Sequence, residues 1–131
     1  MNKYIYEGKT LEEAKNKALT ELNLTEENVI INILEEKNGL LKKSVKIELV
    51  DINAIIAEIK DTINEIVSLM GLTSNLEVRR RENNITITIF SNNNSILIGK
   101  NGRTMSAIQT IIRQIIHSQV KSNLQIIIDV E

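Results

Sequence analysis

The order of apolar periodicities predicts an α+β protein in two parts. A small β-α-β-β domain occupies residues 1–50, and a second domain of order α-β-β-α-α-β occupies 51–131. Three observations carry this. Runs rich in Ile and Val at 29–34, 44–50 and 85–90 have strand composition and length, and the last two alternate at a spacing of two. Apolar residues recur at three and four along 52–70 and again along 105–116, which is helical. Two glycines three apart, Gly99 and Gly102, stand between a short apolar segment and the second of those long stripes.

The elements follow in order. Lys3 to Glu7 is a short strand ended by Gly8. Thr10 and Glu13 form a capping-box pair, and the helix behind them carries Leu11, Ala14, Ala18, Leu19 and Leu22 on one face. Val29 to Leu34 is a strand. Asn38-Gly39 is a hairpin-turn signal leading to its partner, Ser44 to Val50. Asp51 suits the N-cap of a helix whose apolar positions are Ile52, Ile55, Ile56, Ile59, Ile63, Ile66, Val67 and Met70, with Gly71 closing it. Two strands, 75–81 and 85–90, meet at Asn83-Asn84. Ile85, Ile87 and Ile89 face one way, and Thr86 and Thr88 the other. After the polar Asn92-Asn93-Asn94, Ser95 caps a short helix that stops at Gly99. A long helix starts near Arg103 and buries Met105, Ile108, Ile111, Ile112, Ile115 and Ile116. Leu124 to Val130 is nearly all apolar and is expected to be a strand that is either central or covered on both faces.

Composition narrows the function. There is no cysteine, which removes disulfides, thiolate metal sites and Cys nucleophiles. The one histidine, His117, cannot hold zinc unaided. No nucleophile–base pair, phosphate-binding Walker loop or paired carboxylates stand out, so the chain does not read as an enzyme and implies no cofactor. No stretch approaches the ~20 apolar residues of a membrane-spanning helix, so stable membrane insertion is not expected. The absence of a signal core and of cysteine suits the cytoplasm. The net charge of −1 argues against coating nucleic acid by bulk electrostatics. Residues 52–131 carry eight Lys/Arg against seven Asp/Glu, whereas residues 1–51 carry eight against ten. Any binding must come from a local patch.

The segment Ile98-Gly99-Lys100-Asn101-Gly102-Arg103-Thr104-Met105 is the candidate. A bare Gly-x-x-Gly suits a plain helix–helix turn equally well. Its setting in an α-β-β-α-α-β order is that of a type II KH domain, where such a loop clamps about four nucleotides of single-stranded RNA. Glycine lets a sugar–phosphate chain come close, since no Cβ intervenes. The first N–H groups of the following helix lack intrahelical partners and carry positive partial charge. Lys100 and Arg103 add charge, and Asn101 and Thr104 add donors. Ile96, Ile98 and Met105 are each either core or the wall of a base-binding groove.

Leu97 to Gln109, spanning this turn, resembles the KH segment of the Jag family, the bacterial SpoIIIJ-associated proteins. Ile126 to Glu131 resembles the strand that ends that domain, and Glu7 to Ala14 resembles the family's small N-terminal domain. The resemblance implies a cytoplasmic RNA-binding regulator linked to cell division, envelope growth or sporulation, with a separate small KH protein as partner. Family members usually continue into a third domain, named for an Arg-x-x-x-His motif, that also binds single-stranded nucleic acid. Its absence from these residues implies weaker binding.

Other features keep two readings each. Arg79-Arg80-Arg81 is either a solvated sheet edge or a phosphate-contacting rim. Lys42-Lys43 beside Leu40-Leu41 is either a solvated turn or a tip that meets a partner or membrane surface. The whole chain has a rival reading from another class: a protein-interaction scaffold or homodimer with a degenerate KH domain, favoured by its near-neutral charge and few aromatics.

Overall fold

The structure, a computed structural model, describes residues 1–131 and divides into two compact units, Met1–Ile56 and Ala57–Glu131. In the first, β1 (Tyr4–Gly8) leads into α1 (Leu11–Leu22), whose start is fixed by Thr10 Oγ1 accepting the Glu13 N–H at 3.1 Å. A single 3₁₀ turn, Glu26–Asn28, precedes β2 (Val29–Asn38), and β3 (Lys43–Asp51) completes an antiparallel sheet of order β1-β3-β2. The middle strand alternates, burying Val45, Ile47 and Leu49. Ala14 and Ala18 of α1 share that core, where their small side chains suit a close approach of helix to sheet. Leu19 and Leu22 are only partly buried, and Leu11, at the first helical position, is exposed.

The β2–β3 hairpin departs from expectation. Strand β2 runs four residues past Leu34, because Glu35 to Asn38 pair with Lys46 to Lys43 after a bulge between Ile33 and Glu35. Asn38-Gly39 is therefore not the two-residue turn. The loop is Gly39-Leu40-Leu41-Lys42, closed by Gly39 N–H donating to Lys42 O at 3.0 Å.

Helix α2 (Ile52–Leu69) begins where Asp51 Oδ1 accepts the Asn53 N–H at 2.9 Å. It ends in a Schellman motif: Leu72 N–H reaches Val67 O and Gly71 N–H reaches Ser68 O, with Gly71 at φ 78. Its fully buried positions are Ile52, Ile55, Ile59, Ile63 and Val67.

The second unit continues with β4 (Ser74–Arg81) and β5 (Asn84–Ser91), an antiparallel hairpin. Arg81 pairs with Asn84, so the turn is Glu82-Asn83, one residue earlier than expected, with Glu82 taking the positive φ of 54. Helix α3 (Asn94–Ile98) and helix α4 (Arg103–Gln119) lead to β6 (Gln125–Val130), which lies parallel to β5. The sheet order is β4-β5-β6. Strand β6 is thus an edge strand, not a central one. Ile126 and Ile128 are buried while Ile127 between them is 44% exposed, so only one face of the sheet is covered. Ile85, Ile87 and Ile89 of β5 lie on the same buried face. In α4 the buried stripe is Ile108, Ile112 and Ile116; Met105 and Ile115 are half-buried and Ile111 is exposed. The whole is an α+β protein, with β-α-β-β followed by α-β-β-α-α-β. No helix is long and apolar enough to cross a membrane.

Candidate nucleic-acid interface

The turn between α3 and α4 is built by its neighbours. Helix α3 is capped by Asn93, not Ser95: Asn93 Oδ1 accepts the Ile96 N–H at 3.3 Å. Leu97 is the fully buried residue that anchors this short helix. Ile96 and Ile98 on either side of it are open to solvent, at 47% and 37% exposure, which removes them from the core. Gly99 ends the helix at φ 73, ψ 177, a backbone state essentially confined to glycine. Lys100 to Gly102 then form one tight 3₁₀ turn, closed by Gly102 N–H donating to Gly99 O at 3.2 Å. Asn101 and Gly102 both sit in the left-handed region, at φ 57 and φ 72.

The two glycines are there for different reasons. A Cβ on Gly99 would stand 2.8 Å from Thr104 Cβ and 3.0 Å from Thr104 N. Gly99 is therefore a packing glycine, with Thr104 folded against it. A Cβ on Gly102 would meet nothing within 4 Å. Gly102 is needed for its φ, and the space above it is open.

Gly102 is also the N-cap of α4, and no side chain caps that helix. No acidic residue lies in its first turn. Helix α1 shows the contrast: Thr10 covers its start, and Glu12 and Glu13 neutralise its dipole. At α4 the positive end is left uncovered, with the exposed side chains of Lys100, Asn101 and Arg103 around it and Thr104 and Met105 half-buried beneath. The sequence-predicted site residues are thus one contiguous surface, from Ile98 to Met105. Arg79 and Arg81 are exposed, but at the β4–β5 hairpin end. Helix α3 departs from the opposite end of β5, about 23 Å away for seven residues of strand. Arg80 is half-buried, its Nε donating to Glu82 O at 3.0 Å.

Residues 57–128, more than half of the chain, match the family described as KhpA/KhpB, KH domain, and residues 6–50 match the Jag N-terminus. The chain belongs to the KhpA/KhpB KH-domain family. It is 30% identical over 109 residues to the RNA-binding protein KhpB of Bacillus subtilis (strain 168), an alignment that covers 79% of this chain and 52% of the relative. The chain thus spans about half the length of the curated relative it matches.

Within this KhpA/KhpB-type domain, two residues that pattern reading passed over hold the free edge of the sheet. Gln109 Oε1 accepts the Ile128 N–H at 2.9 Å, and Arg113 Nε donates to Ile126 O at 2.7 Å. Met105, Gln109 and Arg113 recur every four residues, one turn apart, so the row runs from the Gly-x-x-Gly turn along the outer side of β6. The available signal was that spacing, on the flank of the buried stripe. His117, a turn further on, has Nε2 3.3 Å from Leu124 O, which places it in the α4–β6 connection. No group of three or more His, Asp or Glu side chains is gathered as metal ligands.

Proposed function

We propose that this chain binds single-stranded RNA at the Gly-x-x-Gly turn. The observation that carries the reading is the open, uncapped start of α4, where a glycine without neighbours within 4 Å of its missing Cβ stands over the helix N-terminus. A phosphate set there meets backbone N–H groups and the positive end of the dipole. Gly102 admits the sugar–phosphate chain, and Gly99 with Thr104 holds the turn in shape. Lys100 and Arg103 supply charge, and Asn101 supplies hydrogen bonds. Ile98 and Met105 line the apolar surface on which bases rest, and about four nucleotides are held. The relative's description as an RNA-binding protein supports the same reading. In the setting that the Jag resemblance implies, the chain acts in the cytoplasm as a regulator of division, envelope growth or sporulation. Residues 51–131 bind RNA there, and residues 1–50 dock a partner or a second copy.

The test is the double variant Lys100→Asp, Asn101→Asp. Both side chains are exposed, so the fold is retained, as circular dichroism will show. Reversing the charge at the phosphate site lowers affinity for a short single-stranded RNA by roughly tenfold or more, read by fluorescence anisotropy. Affinity equal to the parent's rules out the turn as the site and leaves the scaffold reading.

A further inference from the structure

The loop Gly39-Leu40-Leu41-Lys42 has no place in the RNA reading. Leu40 and Leu41 are both fully exposed, the most exposed large apolar side chains of the chain. Both stand at the very end of the β2–β3 hairpin, clear of the core of their own unit. Two leucines held wholly in water are costly unless something covers them part of the time.

Their surroundings say what covers them. From residue 37 to residue 46 the chain carries four lysines, Lys37, Lys42, Lys43 and Lys46, and no acid, in a domain whose net charge is negative. Lys43 sits on β3 just behind the loop, while Lys37 on β2 is paired with Glu35 at 3.4 Å. Lys42 closes the loop, and Lys9 stands beside it, across a cleft of about 460 Å³ whose other walls include Glu7, Gly8, Thr10 and Leu41. Along the hairpin axis the order is therefore apolar tip, then the ammonium groups of Lys42, Lys43 and Lys9. A lipid bilayer with anionic headgroups has the complementary order, with an apolar acyl region behind a layer of phosphate. The tip is convex, and its leucines are not pre-ordered by contacts of their own. A fluid medium takes up such side chains without the ordering that a shaped protein groove demands.

We propose that the β2–β3 hairpin tip is a peripheral membrane contact, in which Leu40 and Leu41 enter the headgroup–acyl boundary of an anionic bilayer and Lys42, Lys43 and Lys9 bind its phosphates. Such an anchor is weak and reversible, because two leucines bury far less than a lipid chain. This inference does not depend on RNA binding, which is placed in the other unit.

The experiment uses the whole chain. Sedimentation with vesicles of phosphatidylcholine alone is compared with vesicles containing phosphatidylglycerol, at low salt. The parent pellets with the anionic vesicles and not with the neutral ones. Leu40→Ser with Leu41→Ser lowers the bound fraction by roughly tenfold, as expected for removing two partly buried leucines. Lys42→Glu with Lys43→Glu does the same, and both variants keep the parent's melting temperature. The chain has no tryptophan, so Leu41→Trp supplies a single reporter whose emission shifts to the blue on anionic vesicles and is quenched by brominated lipid. Failure of the parent to pellet, binding unaffected by both double variants, or an unshifted tryptophan each overturns the proposal. The last outcome with intact pelleting assigns membrane contact to another surface.

Discussion

Replacing each glycine of the turn by alanine separates packing from access. At Gly99 the φ of 73 with ψ of 177 lies in a region essentially closed to residues with a Cβ, at a cost of about 1–3 kcal/mol. The added carbon also meets Thr104 at 2.8 Å and 3.0 Å, well inside van der Waals contact. Relieving that overlap adds about 1–3 kcal/mol of overpacking. At Gly102 the φ of 72 with ψ of 13 is ordinary left-handed geometry, costing alanine about 1–2 kcal/mol, and nothing stands in the way. Gly99→Ala therefore destabilises the Ala57–Glu131 unit by about 2–6 kcal/mol and Gly102→Ala by about 1–2 kcal/mol. For a unit of this size each kcal/mol lowers the melting temperature by about 4–8 °C, so Gly99→Ala melts lower than Gly102→Ala. The order reverses in binding assayed below both transitions: on the proposed reading the methyl at 102 fills the open space through which the sugar–phosphate chain approaches, so Gly102→Ala weakens a short RNA in anisotropy without disturbing the core. Equal melting temperatures for the two variants, or undiminished affinity in Gly102→Ala, would refute the division of labour between them.

Three further outcomes are expected. Leu97→Ala, which empties the buried anchor of α3, costs about 2–5 kcal/mol in urea unfolding and takes RNA binding with it, since the turn hangs from that helix. Arg113→Ala removes a 2.7 Å bond to Ile126 O and costs about 1 kcal/mol; paired with Gln109→Ala it bares the β6 edge, so size-exclusion chromatography shows concentration-dependent association. Lys15 donates to Glu12 and Glu26, both at 2.9 Å, and these partners hold its ammonium above the ordinary value of 10.5. A raised folded-state value means its contribution is fully present below pH 10.5 and is lost as pH climbs through the folded value. The melting-temperature gap between the parent and Lys15→Ala thus stays constant near neutrality and closes only in strong alkali.

Where apolar spacing carries the information, the chain was readable. The stripe of α2, the alternation of β5 and the break at Gly99 all placed elements within a residue or two, and the start of α4 at Arg103 followed from the glycine pair. Solvated structure was harder to read. Glu35 to Asn38 form strand with every side chain exposed, so no alternation marks them; only pairing with β3 creates the strand. Strand β6 was misplaced for the opposite reason. Its unbroken run of isoleucine imitates a strand buried on both faces, yet Ile127 lies on the uncovered face. Capping and turn positions slipped by one or two residues, from Ser95 to Asn93 and from Asn83-Asn84 to Glu82-Asn83, because Asn, Ser and Glu compete closely for such sites when no hydrophobic pattern arbitrates. The candidate site was legible as far as one continuous segment goes. Gln109 and Arg113 act across the fold, and no local motif announces a side chain that satisfies a strand edge.

The bare start of α4 has a consequence for how its grip responds to solution conditions. Only Lys100 and Arg103 bring full charges to the turn, while the remaining donors are neutral amides. On the proposed reading, a single strand held by these two cations releases few counterions, and the expected slope is about −1.4 in log affinity against log salt. Quadrupling the ionic strength would then weaken the proposed hold by only about sevenfold, so a chain with almost no net charge would keep its ligand in a crowded electrolyte that strips it from proteins relying on long basic tracts.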